Sequence, residues 1–275
     1  MPHNTLALSV VDAIIGMAPY MCQGDFAQRI RFAGALGYEG VELNISDPAR
    51  LDIPAIRQAM AETGVKITAL GTGRVYVNEH ISLTDRDAAV RHQAFSRLVT
   101  FLHIAEELDA KVIIGCIRGN IASPEDAPRV LDSLAQGLAS LEQAAPGSGV
   151  RFVMEPINRY ENNFLCSAAE TADFIRSAGL TRTKLLLDTF HMNIEDPDLV
   201  ETIHTYGRDT AYVHIADSNR KYPGLGHTDI PALLKAFQDV GYSGPYCAEC
   251  HANGDLDAGC AAWLAAMRRM LADAE

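Results

Sequence analysis

Apolar residues along this chain follow two spacings in alternation. Short Val-, Ile- or Leu-rich runs bounded by Gly, Pro, Asn or Asp recur, and each is followed by a longer segment whose apolar positions lie three and four apart. The runs predict strands at 6–10, 40–43, 65–70, 112–115, 152–154, 184–187, 212–215 and 246–248. Helical spacing follows at 25–36, 53–63, 87–108, 124–144, 167–179, 197–206, 230–240 and 257–272. Local signals agree with these limits. Ser167 with Glu170 three residues on has the form of a capping box, and Gly179 and Gly241 stand where a helix would stop.

Alternation of this kind requires a parallel sheet, because parallel strands are joined only by crossovers. Eight such units predict one α/β domain, a single (β/α)8 TIM barrel spanning residues 1–275. A doubly wound open sheet is the rival, but no G-x-G-x-x-G opens the first helix. Neither an internal repeat nor a linker divides the chain.

Four of the runs end on a chemically active residue. Phe152-Val153-Met154 stops at Glu155, where Pro156 cannot donate a ladder hydrogen bond. The next three runs reach Asp188, His214 and Glu249. Each of these residues lies about one strand-plus-helix unit from the next, so all four project from one rim, the rim where barrel enzymes carry their sites. Alone, an acid at a strand exit is more simply a helix cap or an ion-pair partner. Three carboxylates and an imidazole gathered in a partly buried mouth, however, repel one another unless a cation lies between them. Hard oxygen donors with one nitrogen favour one octahedral divalent ion, Mn²⁺ ahead of Mg²⁺ or Co²⁺, over zinc held by thiolates. About two positions would remain for adjacent oxygens of a hydroxy-ketone.

Composition narrows the partner. The 275 residues carry a formal charge of −12 without a dense Lys/Arg run, which disfavours nucleic acid and anionic membrane surfaces and leaves a small molecule. No run approaches the length of a membrane span, and the first ten residues lack the basic-then-apolar order of a signal peptide. A cytoplasmic protein is expected, and with it six reduced cysteines. Cys247 and Cys250, three apart on a strand, should point to opposite faces rather than to a shared metal.

Around the four strand ends the sequence resembles the xylose-isomerase-like sugar isomerases and epimerases. The motifs that carry the likeness are Glu155-Pro156-Ile157-Asn158-Arg159-Tyr160-Glu161, Leu187-Asp188-Thr189-Phe190-His191-Met192-Asn193, and His214-Ile215-Ala216-Asp217-Ser218-Asn219-Arg220 followed by Pro223-Gly224-x-Gly226-His227. Glu249 completes them. They are similar to motifs of D-tagatose 3-epimerases. Gly71-Thr72-Gly73 and Val112-Ile113-Ile114-Gly115-x-x-Arg118-Gly119 look like those of 5-keto-L-gluconate epimerases. The resemblance implies that Glu155, Asp188, His214 and Glu249 hold the metal, and that Glu155 and Glu249 also move the proton. It further implies that His191, Arg220 and Glu161 bind substrate, with Gly71 beside them. The activity so implied is epimerisation of a keto sugar or keto sugar acid through an enediolate, in a homodimer or homotetramer.

One departure bears on the substrate. Neutral-ketose members of the family usually place a tryptophan at the fourth strand exit, where this chain has Cys116-Ile117-Arg118; its one tryptophan, Trp263, lies in the last helix. Arg118, with Arg74 after the third strand, could pair with a substrate carboxylate through two parallel hydrogen bonds, which favours a keto sugar acid. A rim salt bridge is the plainer use. An aldose–ketose or hydroxypyruvate-type isomerase could use the same metal site. Apurinic-site endonucleases share the barrel and the Asp188-x-x-His191 spacing but need further histidines at the third and fourth strand exits. A sugar-binding module would need no proton-transfer pair. Gly71-x-Gly73 and Gly224-x-Gly226 fit turns better than phosphate cradles. Tyr20 and Met21 fit a cover or core role in the first loop.

Overall fold

The structure is a computed structural model that describes residues 4–13, 19–145, 147, 149 and 151–273. Its strands are β1 (Leu6–Val11), β2 (Cys22–Gln23), β3 (Gly40–Asn44), β4 (Lys66–Gly71), β5 (Lys111–Ile114), β6 (Phe152–Met154), β7 (Thr183–Asp188), β8 (Thr210–His214) and β9 (Tyr246–Ala248). They pair in parallel in the order β2-β1-β3-β4-β5-β6-β7-β8-β9, and β9 returns to β1. Eight strands therefore close a barrel, with β2 a two-residue addition beside the end of β1 (Val10↔Cys22, Val11↔Gln23). The expected (β/α)8 TIM barrel is present.

The helices are α1 (Phe26–Leu36), α2 (Ile53–Thr63), α3 (Gly73–Glu79), α4 (Ala88–Leu108), α5 (Ala127–Ala144), α6 (Ala168–Ser177), α7 (Thr189–Glu195), α8 (Leu199–Tyr206), α9 (Ile230–Asp239) and α10 (Leu256–Asp273). Asp25, Asp52, Asp87, Asp198 and Asp229 each accept a hydrogen bond from a backbone N–H in the first turn, and Ser167 and Glu170 form the capping box. Two short helices, α3 and α7, were not expected. Each begins directly at a strand exit on the rim, and seven residues are too few to display a helical period. Residues 14–18 of the first loop and residues 1–3 lie outside the described set, so the cover role considered for that loop is described only from residue 19 onward. No helix among the described residues is long and apolar enough to cross a membrane.

Two apolar layers result. The larger lies between strands and helices; Trp263 of α10 is buried there, stacked on Tyr38, and its Nε1–H donates to the Ile215 carbonyl at 2.9 Å. A second cluster fills the barrel itself: Ala7, Ala69, Ile113, Val153, Leu186, Tyr212 and Cys247. Side chains on a strand return to the same face every second residue. The next inward positions are therefore Ser9, Gly71, Gly115, Glu155, Asp188, His214 and Glu249. The floor of the mouth is apolar, and the polar chemistry begins one layer above it.

Candidate active site

Glu155, Asp188, His214 and Glu249 leave β6, β7, β8 and β9 on the same rim, and all four are buried. Each can offer an atom to one point, these atoms all lying within 4.8 Å of one another. His214 Nδ1 is 3.4 Å from Glu155 Oε1 and 3.5 Å from Glu249 Oε2. Asp188 divides its two oxygens. Oδ1 caps α7 by accepting from Phe190 N–H at 2.8 Å, while Oδ2 faces the cluster. The cap and the ligand are thus the same side chain.

Three atoms of this cluster, Glu155 Oε1, Asp188 Oδ2 and His214 Nδ1, are buried without a hydrogen-bond partner. Buried polar atoms are almost always paired, because each lost bond leaves a desolvation penalty of about 1–3 kcal/mol. Three such atoms aimed at one point, with a fourth donor from Glu249, fit a single divalent cation, and the oxygen-rich set suits a hard one. The electrostatics agree. Burial pushes the Asp188 carboxyl up to about 6 against the pull of Arg220 and His214. Burial, helped by the Glu155 carboxylate, pushes Glu249 up to about 8. For His214 burial opposes charge, but the carboxylates of Glu42 and Glu249 outweigh it and hold the imidazole well above its usual range.

The surrounding residues are arranged for hydrogen bonding to a small polar molecule. His191 Nε2 lies 3.7 Å from Glu155 Oε1 and 3.6 Å from Asp188 Oδ2. Its Nδ1 is 2.7 Å from the Asn158 amide nitrogen, which can only donate. That assignment places the ring proton on Nε2, facing the site. Burial, reinforced by Arg220, keeps this imidazole neutral by lowering it well below its usual range. Arg220 donates from Nη2 to Glu249 Oε2 at 3.0 Å and from Nη1 to Glu161 Oε1 at 3.1 Å, with its guanidinium 4.5 Å over the Phe190 ring. Its backbone is left-handed at φ 58, a conformation fixed by the Asp217 turn. There the Asp217 carboxylate accepts from the N–H groups of Ser218, Gly224 and Thr228. A Cβ on Gly226 would lie 2.2 Å from Asp217 Oδ1, so Gly224-x-Gly226 serves this turn.

Gly71, Glu161, His191 and Arg220 thus line one cavity with Glu155, His214 and Glu249. Arg118 does not. Its side chain is fully buried behind β6, where Nη1 donates to the Glu155 carbonyl at 2.6 Å and Nη2 to the carbonyls of Phe164 and Leu165 at 3.2 and 3.3 Å. A long cation next to unpaired loop carbonyls is drawn to them, and the expected pairing with a substrate carboxylate is not available to it. Arg74 is likewise buried and turned to Ser46 Oγ. Cys247 faces the barrel interior and Cys250 faces Met21, as strand alternation requires.

The sequence reasoning missed Glu42 and Asn44 as cavity residues, whereas Tyr20, considered for a cover role in the first loop, lines the cavity beside them. The available signal was a charged residue inside a wholly buried strand, β3. A larger cleft of about 330 Å³, between α1 and α2, lacks a cluster of converging ligand atoms and lies apart from this chemistry.

Known proteins place the chain. Over 226 residues it is 28% identical to a D-psicose 3-epimerase of Agrobacterium fabrum, covering 80% of this chain and 77% of that one. Over 226 residues it is 26% identical to a 3-dehydro-D-guloside 4-epimerase of Escherichia coli, covering 79% and 84%. In three dimensions it is similar in fold to a 3-keto-D-glucoside 4-epimerase from E. coli, with a TM-score of 0.81 at 22% identity over 96% of this chain and 99% of that one. The family described as xylose isomerase-like TIM barrel matches residues 30–271, nearly the whole barrel. The chain belongs to the xylose isomerase-like TIM barrel family.

Proposed function

We propose that this protein is an isomerase that epimerises a keto sugar at the carbon beside its carbonyl, with one divalent cation held by Glu155, Asp188, His214 and Glu249. The observation that carries this is the set of three unpartnered buried atoms aimed at one point. The names of the sequence relatives, ketose 3-epimerases and a 3-dehydro-D-guloside 4-epimerase, support the reaction type.

The cation, Mn²⁺ before Mg²⁺ or Co²⁺, would polarise the carbonyl and oppose the negative charge that develops on it. The chain's own groups do the rest. Glu155 and Glu249 stand on separate strands across the cavity, so one can remove the proton beside the carbonyl and the other return it to the opposite face. Arg220 fixes the Glu249 carboxylate, and its own buried Nε, which has no partner, is free to donate to a sugar hydroxyl. Neutral His191 donates from Nε2 without adding charge.

The wall supports a neutral sugar over a sugar acid. Arg118 and Arg74 are committed elsewhere, and Glu42, Glu155, Glu161 and Glu249 line the cavity. The test is incubation in D₂O with Mn²⁺ and a panel of ketoses, 3-keto glycosides and keto sugar acids, with products identified by NMR after the metal is chelated. Inversion with deuterium gained at one carbon is expected. Hydrogen moved between neighbouring carbons would indicate an aldose–ketose isomerase instead. A Mn²⁺-loaded protein that turns over nothing and exchanges nothing overturns the proposal.

A further inference from the structure

Glu42 is a fully buried carboxylate that the reaction does not use. It lies on β3, across the barrel mouth from β8, and follows a register shift between Val41 and Glu42. Such irregularities re-aim a side chain. Here Glu42 Oε2 meets His214 Nε2 at 2.7 Å, joining residues 172 apart in sequence. The other oxygen is held from two sides. Ser9 Oγ, on the partner position of β1, donates to Oε1 at 3.0 Å, and Asn44 Nδ2 donates at 2.9 Å. Asn44 is fixed in turn by the Tyr20 hydroxyl, which donates to Oδ1 at 3.2 Å, and by Gly71, where a Cβ would sit 2.0 Å from the same oxygen.

Glu42, His214 and Cys247 are also close enough to hold an ion of their own. The hydrogen-bonding pattern argues otherwise. Both Glu42 oxygens and His214 Nε2 are satisfied within the network, whereas His214 Nδ1, on the opposite edge of the ring, is not. An imidazole with no partner on its far nitrogen can turn over or hold its proton on either atom. A fixed carboxylate at Nε2 holds the proton on that nitrogen, so Nδ1, on the edge facing the cluster, is the nitrogen that gives up its proton to a cation.

We propose that Glu42 is the positioning residue of the metal centre: held by Ser9 and Asn44, it fixes the His214 ring so that Nδ1 is presented as a ligand. This rests on the four-residue ligand set described above. Partners of this kind typically alter metal affinity by roughly 10- to 100-fold.

The test is a titration of metal-free protein with Mn²⁺, with the free ion followed by electron paramagnetic resonance and no sugar present. Glu42→Gln keeps the shape and removes the charge. It is expected to weaken Mn²⁺ binding roughly 10- to 100-fold, to leave a protein that still folds without metal by circular dichroism, and to shift the d–d absorption of the Co²⁺-loaded protein. A folded Glu42→Gln protein with Mn²⁺ affinity within about twofold of wild type and an unchanged cobalt spectrum overturns the proposal. Should that variant not fold, Ser9→Ala decides: a several-fold loss of Mn²⁺ affinity supports the role, and none refutes it. A protein whose Mn²⁺ affinity depends on Glu42 as expected yet which epimerises nothing would sink the proposed function alone.

Discussion

Arg118→Met separates a structural cation from a substrate-binding one. The guanidinium is fully buried and donates to three carbonyls, those of Glu155, Phe164 and Leu165. Methionine matches much of the side chain's volume and none of its donors. Each buried acceptor left without a partner costs about 1–3 kcal/mol. Relief of a desolvated cation, which burial has already moved below its usual range, offsets part of that sum. A net loss of about 3–4 kcal/mol is therefore expected, or about 6–8 °C in melting temperature at roughly 2 °C per kcal/mol for a chain of this size. The same change frees the Glu155 backbone. A displacement of about 1 Å at a proton-transfer group lowers kcat by about 100-fold. Circular dichroism melts with and without Mn²⁺, alongside kinetics on neutral and acidic sugars, check both effects. A variant that melts within about 2 °C of wild type, with KM raised only for acidic substrates, would refute this account and return Arg118 to the substrate.

Three further outcomes follow from the site. Glu249→Gln should keep the fold and lower epimerisation by about 100- to 10,000-fold, with loss of solvent deuterium exchange at the reacting carbon; wild-type exchange would remove Glu249 from proton transfer. Gly71→Ala drives a methyl into Asn44 and should destabilise the protein by about 1–3 kcal/mol, measured by urea unfolding. Metal binding should depend on pH with a definite sign. Asp188 at about 6 and Glu249 at about 8 bind protons more tightly in the folded, metal-free chain than in the unfolded one. Their contribution to metal-free stability therefore falls as pH rises from the ordinary carboxylate range through those values. Since a cation needs both ionised, Mn²⁺ affinity should rise from pH 5 to pH 8 with proton release, which calorimetry in buffers of different ionisation enthalpy would register. Affinity that falls over this range would contradict the assignment.

How the site was assembled can be followed residue by residue. By itself the sequence determined the barrel and the rim, because both depend on local periodicity. Strands repeat every two residues and helices every 3.6, so an acid two positions beyond Val153 or Leu186 must emerge on the inward face above the apolar floor. Pro156 and the capping aspartates ended the elements where their backbone chemistry required. The tertiary structure alone decided what the long side chains do. Arg118 and Arg220 carry the same flexible cation. Burial beside loop carbonyls up to 47 residues away took Arg118 out of the cavity, while the Asp217 turn turned Arg220 into it. Glu42 gained its partner only when closure of the sheet through β9 and β1 brought β3 within reach of β8. Local spacing cannot encode which buried polar atoms find partners, because that depends on hydrogen bonds between segments far apart in the chain. Closure of the barrel satisfied both Glu42 oxygens and gave the Arg118 Nη groups their carbonyls, and it left Glu155, Asp188 and His214 with atoms still unpaired.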